Sequence, residues 1–157
     1  SLTLRVSVRI DRVEYNLGSS EQDVKKSFPE FSFKGEVATD YRGQRTAIRR
    51  GDAFFKCATH PGILGDKAAT DVSLVFENDK LVNIHVMWFP TSFDYALEKL
   101  TKAHREPLDD KKFQIETKNG QVLENRVVTW HNGTSTVRIE KYYLNAGMSR
   151  ITYLLKP

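Results

Sequence analysis

The sequence has few residues that could cross-link the chain or anchor it. Cys57 is the single cysteine among 157 residues, so no disulfide can form within the chain. No apolar run is long enough to cross a bilayer, and we expect no membrane span. A glycine-rich phosphate loop, a Cys/His metal spacing and a nucleophile elbow are also missing. We therefore expect no cofactor and no metal, and we favour a non-enzymatic protein while leaving an enzyme open.

A strong charge of one sign is also lacking. The chain carries 24 basic and 20 acidic side chains, which leave a formal net charge of +4. Most positive charges therefore have an opposite charge available as a neighbour, unlike the one-sided field of a dedicated nucleic-acid binder. The balance predicts a solvated, mixed surface.

The sequence does have the length of a domain, many aromatic residues, and stretches in which apolar and polar residues alternate. Its length is typical of one domain, and we expect residues 1–157 to form a single domain. Nine Phe, six Tyr and two Trp supply large side chains for a core. Period-two alternation and turn residues predict strands at 2–10, 31–37, 47–58, 72–76, 81–89, 112–117, 122–131, 135–143 and 150–155.

Two short helices interrupt these strands. Ser19 or Ser20 can cap a first helix, which Pro29 ends. Thr91 or Ser92 can cap a second helix that reaches about His104. The fold class is therefore α+β, an antiparallel β-sheet with two short helices. Because each helix precedes a set of strands with a tight hairpin, an internal repeat of residues 1–90 and 91–157 is one interpretation and chance is the other.

The stretch around the first helix carries a resemblance. Leu17, Gly18, Ser20, Asp23 and Val24 resemble a Leu-Gly-x-Ser-x-x-Asp-Val signature. The outline is similar to the beta-lactamase inhibitory protein fold and to the small outer-membrane assembly lipoproteins of bacteria. The paired cysteines of the first group and the lipobox cysteine of the second are missing. The resemblance implies a non-catalytic envelope protein, periplasmic or secreted, that works through the exposed face of its sheet; a cytoplasmic location stays open.

Candidate binding residues come from three features of the sequence. Residues 41–50 hold four arginines beside a tyrosine, which suits recognition of carboxylates or phosphates. Alternation places one histidine and one methionine on the outer side of a strand, with Leu81 and Asn83 on that side and Val82 opposite. Two adjacent tyrosines must point to opposite faces, so at least one should be exposed, as in protein interfaces. The candidates are Arg42, Arg45, Arg49, Arg50, His85, Met87, Tyr142 and Tyr143.

These residues favour a protein that binds another protein, and two alternatives stay open. One is a small enzyme with loop-borne groups, of which His60 and Asp66 are the first pair to consider. The other is a nucleic-acid binder that uses residues 42–50. Asp109 and Asp110 form an adjacent acidic pair, which we expect in a solvated turn rather than as an acid/base couple.

Overall fold

A computed structural model gives the structure of the protein and describes residues 7–10, 13–55, 70–88, 92–133, 135–143 and 147–155. The elements are β1 (Ser7–Ile10), β2 (Val13–Asn16), α1 (Glu21–Ser27), β3 (Ser32–Thr39), β4 (Arg45–Phe55), β5 (Thr70–Glu77), β6 (Lys80–Trp88), α2 (Phe93–His104), β7 (Asp109–Glu116), β8 (Val122–Asn132), β9 (Ser135–Tyr143) and β10 (Met148–Leu155). The predicted α+β class and the antiparallel sheet are confirmed, with strands dominating.

Eight of the strands form one antiparallel sheet in the order β3-β4-β5-β6-β10-β9-β8-β7, and β1 pairs with β2 separately. Each half of the sheet follows a helix and runs as four consecutive strands. The last strands of the two halves, β6 and β10, meet at the centre, where Val86 lies opposite Ile151. Side chains from both halves therefore adjoin along the middle of the sheet.

The hydrophobic core lies between one face of this sheet and the two helices. Trp88, Trp130 and Tyr153 are its largest fully buried side chains. The helices contribute Val24 from α1 and Leu100 from α2 to the same cluster. The side chains that alternate with these core residues along each strand form the second face of the sheet.

Local sequence signals explain where the helices begin. The Oγ of Ser20 accepts a hydrogen bond from the Asp23 N–H at 3.1 Å, so Ser20 is the N-cap of α1 as predicted. Ser92 precedes α2 but makes no side-chain capping bond. Phe93, Ala96 and Leu100 of α2 are buried and belong to the hydrophobic core.

One prediction of side-chain direction is wrong at the start of β6. Leu81 is fully buried in the core and Val82 is half-exposed, although alternation had placed them the other way round. The pairing of β5 with β6 shifts between Val75 and Phe76, so that Phe76 lies opposite Leu81. The extra residue is a β-bulge, which reverses the side-chain direction before it.

Two further differences concern the ends of strands. Asp109 and Asp110 begin β7 instead of forming a turn, and their side chains bond to Lys111 and Arg126 respectively. At the β8–β9 turn, Asn132 is still paired, opposite Ser135, so β8 extends one residue beyond its predicted end at position 131. Cys57, His60 and Asp66 lie outside the described residues.

Candidate functional site: the polar face of the sheet

The face of the sheet opposite the helices carries the candidate site, and we call it the polar face. Its central row runs across β5, β6, β10 and β9, and each residue lies directly opposite the next: Ser73, His85, Thr152 and Arg138. The neighbouring row on the same four strands holds Asp71, Met87, Arg150 and Glu140. On β4, Arg50, Asp52 and Phe54 extend the same face. The face therefore combines residues from both halves of the sheet.

His85 lies at the centre of the polar face. Its Nδ1 is 3.3 Å from the Thr152 Oγ1 on the neighbouring strand. Burial, together with the positive charges of Arg150 and Arg50, lowers the pKa of His85 to about 4. The ring is therefore neutral at neutral pH, and the charge at the centre of the face comes from the arginines.

Arg50 and Arg150 are both fixed by neighbouring side chains. Arg50 donates to Glu36 at 3.0 Å and to the Ser73 hydroxyl at 2.9 Å. This pairing is the main cause that lowers the pKa of the Glu36 carboxyl. Arg150 donates to Glu140 at 2.9 Å, and its guanidinium carbon lies 3.6 Å from the centroid of the Tyr143 ring. A stacked and ion-paired arginine keeps one orientation, which suits recognition.

Three charged side chains on this face are free in the part of the chain that the structure describes. Asp52 and Asp71 are exposed on β4 and β5, and Arg138 is exposed on β9. The anions therefore lie on one side of the central β6–β10 pair and the free cation on the other. Such a surface is complementary to a partner that offers the reverse charges.

Exposed apolar side chains accompany these charges. Phe54 is 62% exposed on β4, and Leu154 is 39% exposed on β10. Both alternate with core residues and so belong to the polar face. Phe54 and Leu154 are thus exposed apolar side chains on the face that also carries the Arg150–Tyr143 stack.

Unsatisfied polar atoms lie on the same face. Asn83 Oδ1 and Arg150 Nε are buried and have no hydrogen-bond partner among the described residues. Buried polar atoms are normally paired, so these two atoms leave hydrogen-bonding capacity unused beneath this face.

The four arginines of residues 41–50 lie on different surfaces of the protein. Arg49 points to the helix side and pairs with Glu21 of α1 at 3.1 Å, whereas Arg50 points to the polar face. Arg42 lies in the exposed β3–β4 turn, where it donates to the Tyr41 hydroxyl at 2.9 Å. Arg45 is exposed at the start of β4. The four arginines therefore do not form one continuous cationic surface.

The two adjacent tyrosines do point to different neighbours, but neither is fully exposed. Tyr143 stacks against Arg150 on the polar face. Tyr142 lies beside the Lys141 ammonium, 5.5 Å from its ring centroid, and that ammonium also lies 5.9 Å from the Phe93 ring of α2. A cation covers each ring, which explains why both are half-buried.

The structure thus brings together Arg50, His85, Met87 and Tyr143 from the predicted set and leaves the others elsewhere. Sequence reasoning missed Arg138, Arg150 and Phe54. The direction of these side chains follows from alternation with the inward-facing Val137, Ile151 and Ala53. Only the pairing of β6, β10 and β9 places Arg150 diagonally across from His85 and Arg138 on the far side of Thr152.

A second surface lies on the helix side of β3 and β4. It is an open groove of about 460 Å³, lined by residues that include Gly35, Val37, Arg49 and Phe76. The seven-residue helix α1 is too short to cover this part of the sheet, which leaves Val37 exposed. Substitutions beside this groove can therefore serve as controls for substitutions on the polar face.

Among the described residues, no helix is long and apolar enough to cross a membrane. The same residues contain no group of three His, Cys, Asp or Glu side chains arranged to hold a metal ion. Comparisons with protein-family models, with curated proteins and with solved structures find no match for this chain.

Proposed function

We propose that this chain is a non-enzymatic protein-binding domain and that its partner lies against the polar face. The observation that carries the proposal is the combination of exposed Phe54 and Leu154 with the fixed Arg150–Tyr143 stack on one sheet face. Aromatic and arginine side chains dominate the binding energy of protein interfaces. The free charges of this face match a partner with a basic group opposite Asp52 and Asp71 and an acidic group opposite Arg138.

We infer further that the two halves of the chain are structural repeats. Each consists of a helix and four consecutive strands, and the halves meet where β6 pairs with β10. A repeat would explain why the polar face is assembled equally from both halves.

The proposed envelope location, periplasmic or secreted, rests on the family resemblance, and fractionation of the source cells tests it.

The test is a differential capture with three immobilised proteins. The first is the wild-type chain, the second carries Phe54→Ala, Leu154→Ala and Arg138→Ala on the polar face, and the third carries Val37→Ala and Arg45→Ala on the helix side. All five positions are exposed, so we expect each variant to fold, and circular dichroism with thermal melting checks this. An extract of the source organism is passed over all three, and bound proteins are quantified by mass spectrometry.

The proposal predicts a protein that is retained by the wild type and by the helix-side variant but is lost by the polar-face variant. A protein that is lost only by the helix-side variant would assign binding to the groove near Val37 and would contradict the proposal. Nucleic acid retained only at low salt would favour the alternative that uses residues 42–50, because phosphate contacts weaken steeply with salt.

A further inference from the structure

The surroundings of Thr152 on the polar face have an unbalanced charge. Arg138 lies directly opposite Thr152, and Arg150 lies directly opposite Glu140 in the next pair of the β9–β10 ladder. The two arginines are therefore diagonal neighbours, whose Cβ atoms in an antiparallel sheet are about 7 Å apart. Glu140 neutralises Arg150 at 2.9 Å, and Arg138 has no ion pair among the described residues. Arg138 is thus a cation without an ion pair among the described residues, and it lies diagonally across from the Arg150–Glu140 pair.

The same position offers polar groups with unused hydrogen-bonding capacity. When the His85 Nδ1 carries the ring proton and donates to the Thr152 Oγ1, the Thr152 hydroxyl hydrogen is left for a ligand. Arg150 uses only one terminal nitrogen in its bond to Glu140. The Tyr143 stack holds Arg150 in place, so little side-chain freedom is lost when a ligand binds. His85 is neutral at neutral pH and neither adds to the positive charge nor competes for an anion.

We propose that Arg138, Thr152 and Arg150 form a subsite for the carboxylate of an acidic side chain of the protein partner. The inference rests on the proposed function, since it names the chemistry that the partner presents to the centre of the polar face. Arg138 would supply a bidentate guanidinium to the carboxylate, and Thr152 would donate its hydroxyl hydrogen. Arg150 would supply a second, prearranged positive charge.

The experiment uses the isolated chain and small probes, so that it does not depend on finding the partner. The probe is N-acetyl-glutamate N-methylamide, and the control is the glutamine analogue, which has the same shape but no charge. Titrations are followed through the Nε–H signals of the arginines in ¹⁵N-labelled protein by NMR. We expect saturable shifts of the Arg138 and Arg150 signals with the glutamate probe and none with the glutamine probe.

Arg138→Gln should weaken the glutamate titration at least tenfold, because it removes the charge-assisted hydrogen bonds to the carboxylate. Arg45→Gln removes an equally exposed arginine from the other side of the sheet and should leave the titration unchanged. Equal shifts with both probes, or an unchanged titration in Arg138→Gln, would overturn the subsite. Saturation by inorganic phosphate at a much lower concentration than by the glutamate probe would overturn the assignment to a carboxylate.

The outcomes separate this inference from the proposed function. A partner captured through the polar face, combined with no response to the glutamate probe, would leave the function standing and remove the subsite. A specific response to the glutamate probe with no captured partner would leave the subsite standing and remove the support for a protein partner.

Discussion

Thr152 of β10 lies directly opposite His85 of β6, and the Thr152 Oγ1 is 3.3 Å from the His85 Nδ1. The contact joins the last strands of the two halves at the centre of the polar face. It also holds a neutral imidazole between two arginines, which is an arrangement that acid should disturb.

The stability of the protein should therefore depend on the protonation of His85. The pKa of His85 is about 4 in the folded chain and about 6.5 when unfolded. Between these values the unfolded chain binds a proton that the folded chain does not, so the free energy of unfolding falls as pH drops from about 6.5 to about 4. The shift corresponds to at most about 3 kcal/mol.

His85→Gln keeps a neutral polar side chain opposite Thr152 and should lose this part of the pH dependence. Urea unfolding of the wild type and the variant between pH 7 and pH 4 measures the difference. Glu36 and Asp110, whose pKa values are lowered by Arg50 and Arg126, destabilise both proteins on acidification and so cancel. Exposed His131→Gln is the control. Identical pH profiles for wild type and His85→Gln would contradict the burial of a neutral ring.

The side chain of Asn125 should stabilise the end of β9 by pairing with its backbone. Its amide side chain accepts from the Tyr142 N–H at 3.0 Å and donates to the Tyr142 carbonyl at 3.2 Å, and the residue is 5% exposed. Asn125→Ala leaves both backbone groups unpaired, at a cost of about 1–3 kcal/mol each. Asn125→Asp keeps the acceptor and loses the donor, and it should fall between the wild type and Asn125→Ala in denaturant unfolding. Equal stability of Asn125→Ala and the wild type would show that water replaces the amide.

A side chain at Gly51 should destabilise the protein as long as Phe33 is present. A Cβ atom at Gly51 would lie 2.6 Å from the Phe33 ring, which packs against Phe76 at a centroid distance of 5.9 Å. We expect Gly51→Ala to cost about 1–3 kcal/mol through overpacking. In the Phe33→Leu background the same change should cost clearly less. A double-mutant cycle by thermal unfolding measures the coupling, and additive effects would contradict the contact.

Ser20→Ala should destabilise the protein by about 1 kcal/mol, because it removes the capping bond to the Asp23 N–H. Ser19→Ala is the matched control, since Ser19 contributes its backbone carbonyl to the Leu81 N–H. The difference in melting temperature between the two variants isolates the cap. A larger loss in Ser19→Ala would assign the stabilisation to other contacts of this segment.

Local rules predicted part of the structure correctly. Alternation placed His85 and Trp88 on opposite faces of the same strand, and capping chemistry identified Ser20 as a candidate N-cap. Both predictions depend on neighbours within a few residues. The bulge that turns Leu81 into the core could not be predicted, because it arises from pairing with Phe76 on another strand.

The candidate site was predicted only in part for the same reason. Alternation alone separates Arg49 from Arg50, so the segment 42–50 could have been recognised as two surfaces. The grouping of Arg138 with Arg150 depends on the register of β9 and β10. Long-range register is the information that single-sequence patterns lack.

The most direct test of the account is the affinity of the captured partner for the purified chains, measured by isothermal titration calorimetry. Interface aromatic and arginine side chains contribute roughly 2 kcal/mol or more each when they are central. The account predicts at least a 100-fold weaker affinity for the variant that carries Phe54→Ala, Leu154→Ala and Arg138→Ala. It predicts less than a threefold change for the variant with Val37→Ala and Arg45→Ala. Unchanged affinity of the polar-face variant, with its fold intact, would contradict the central claim.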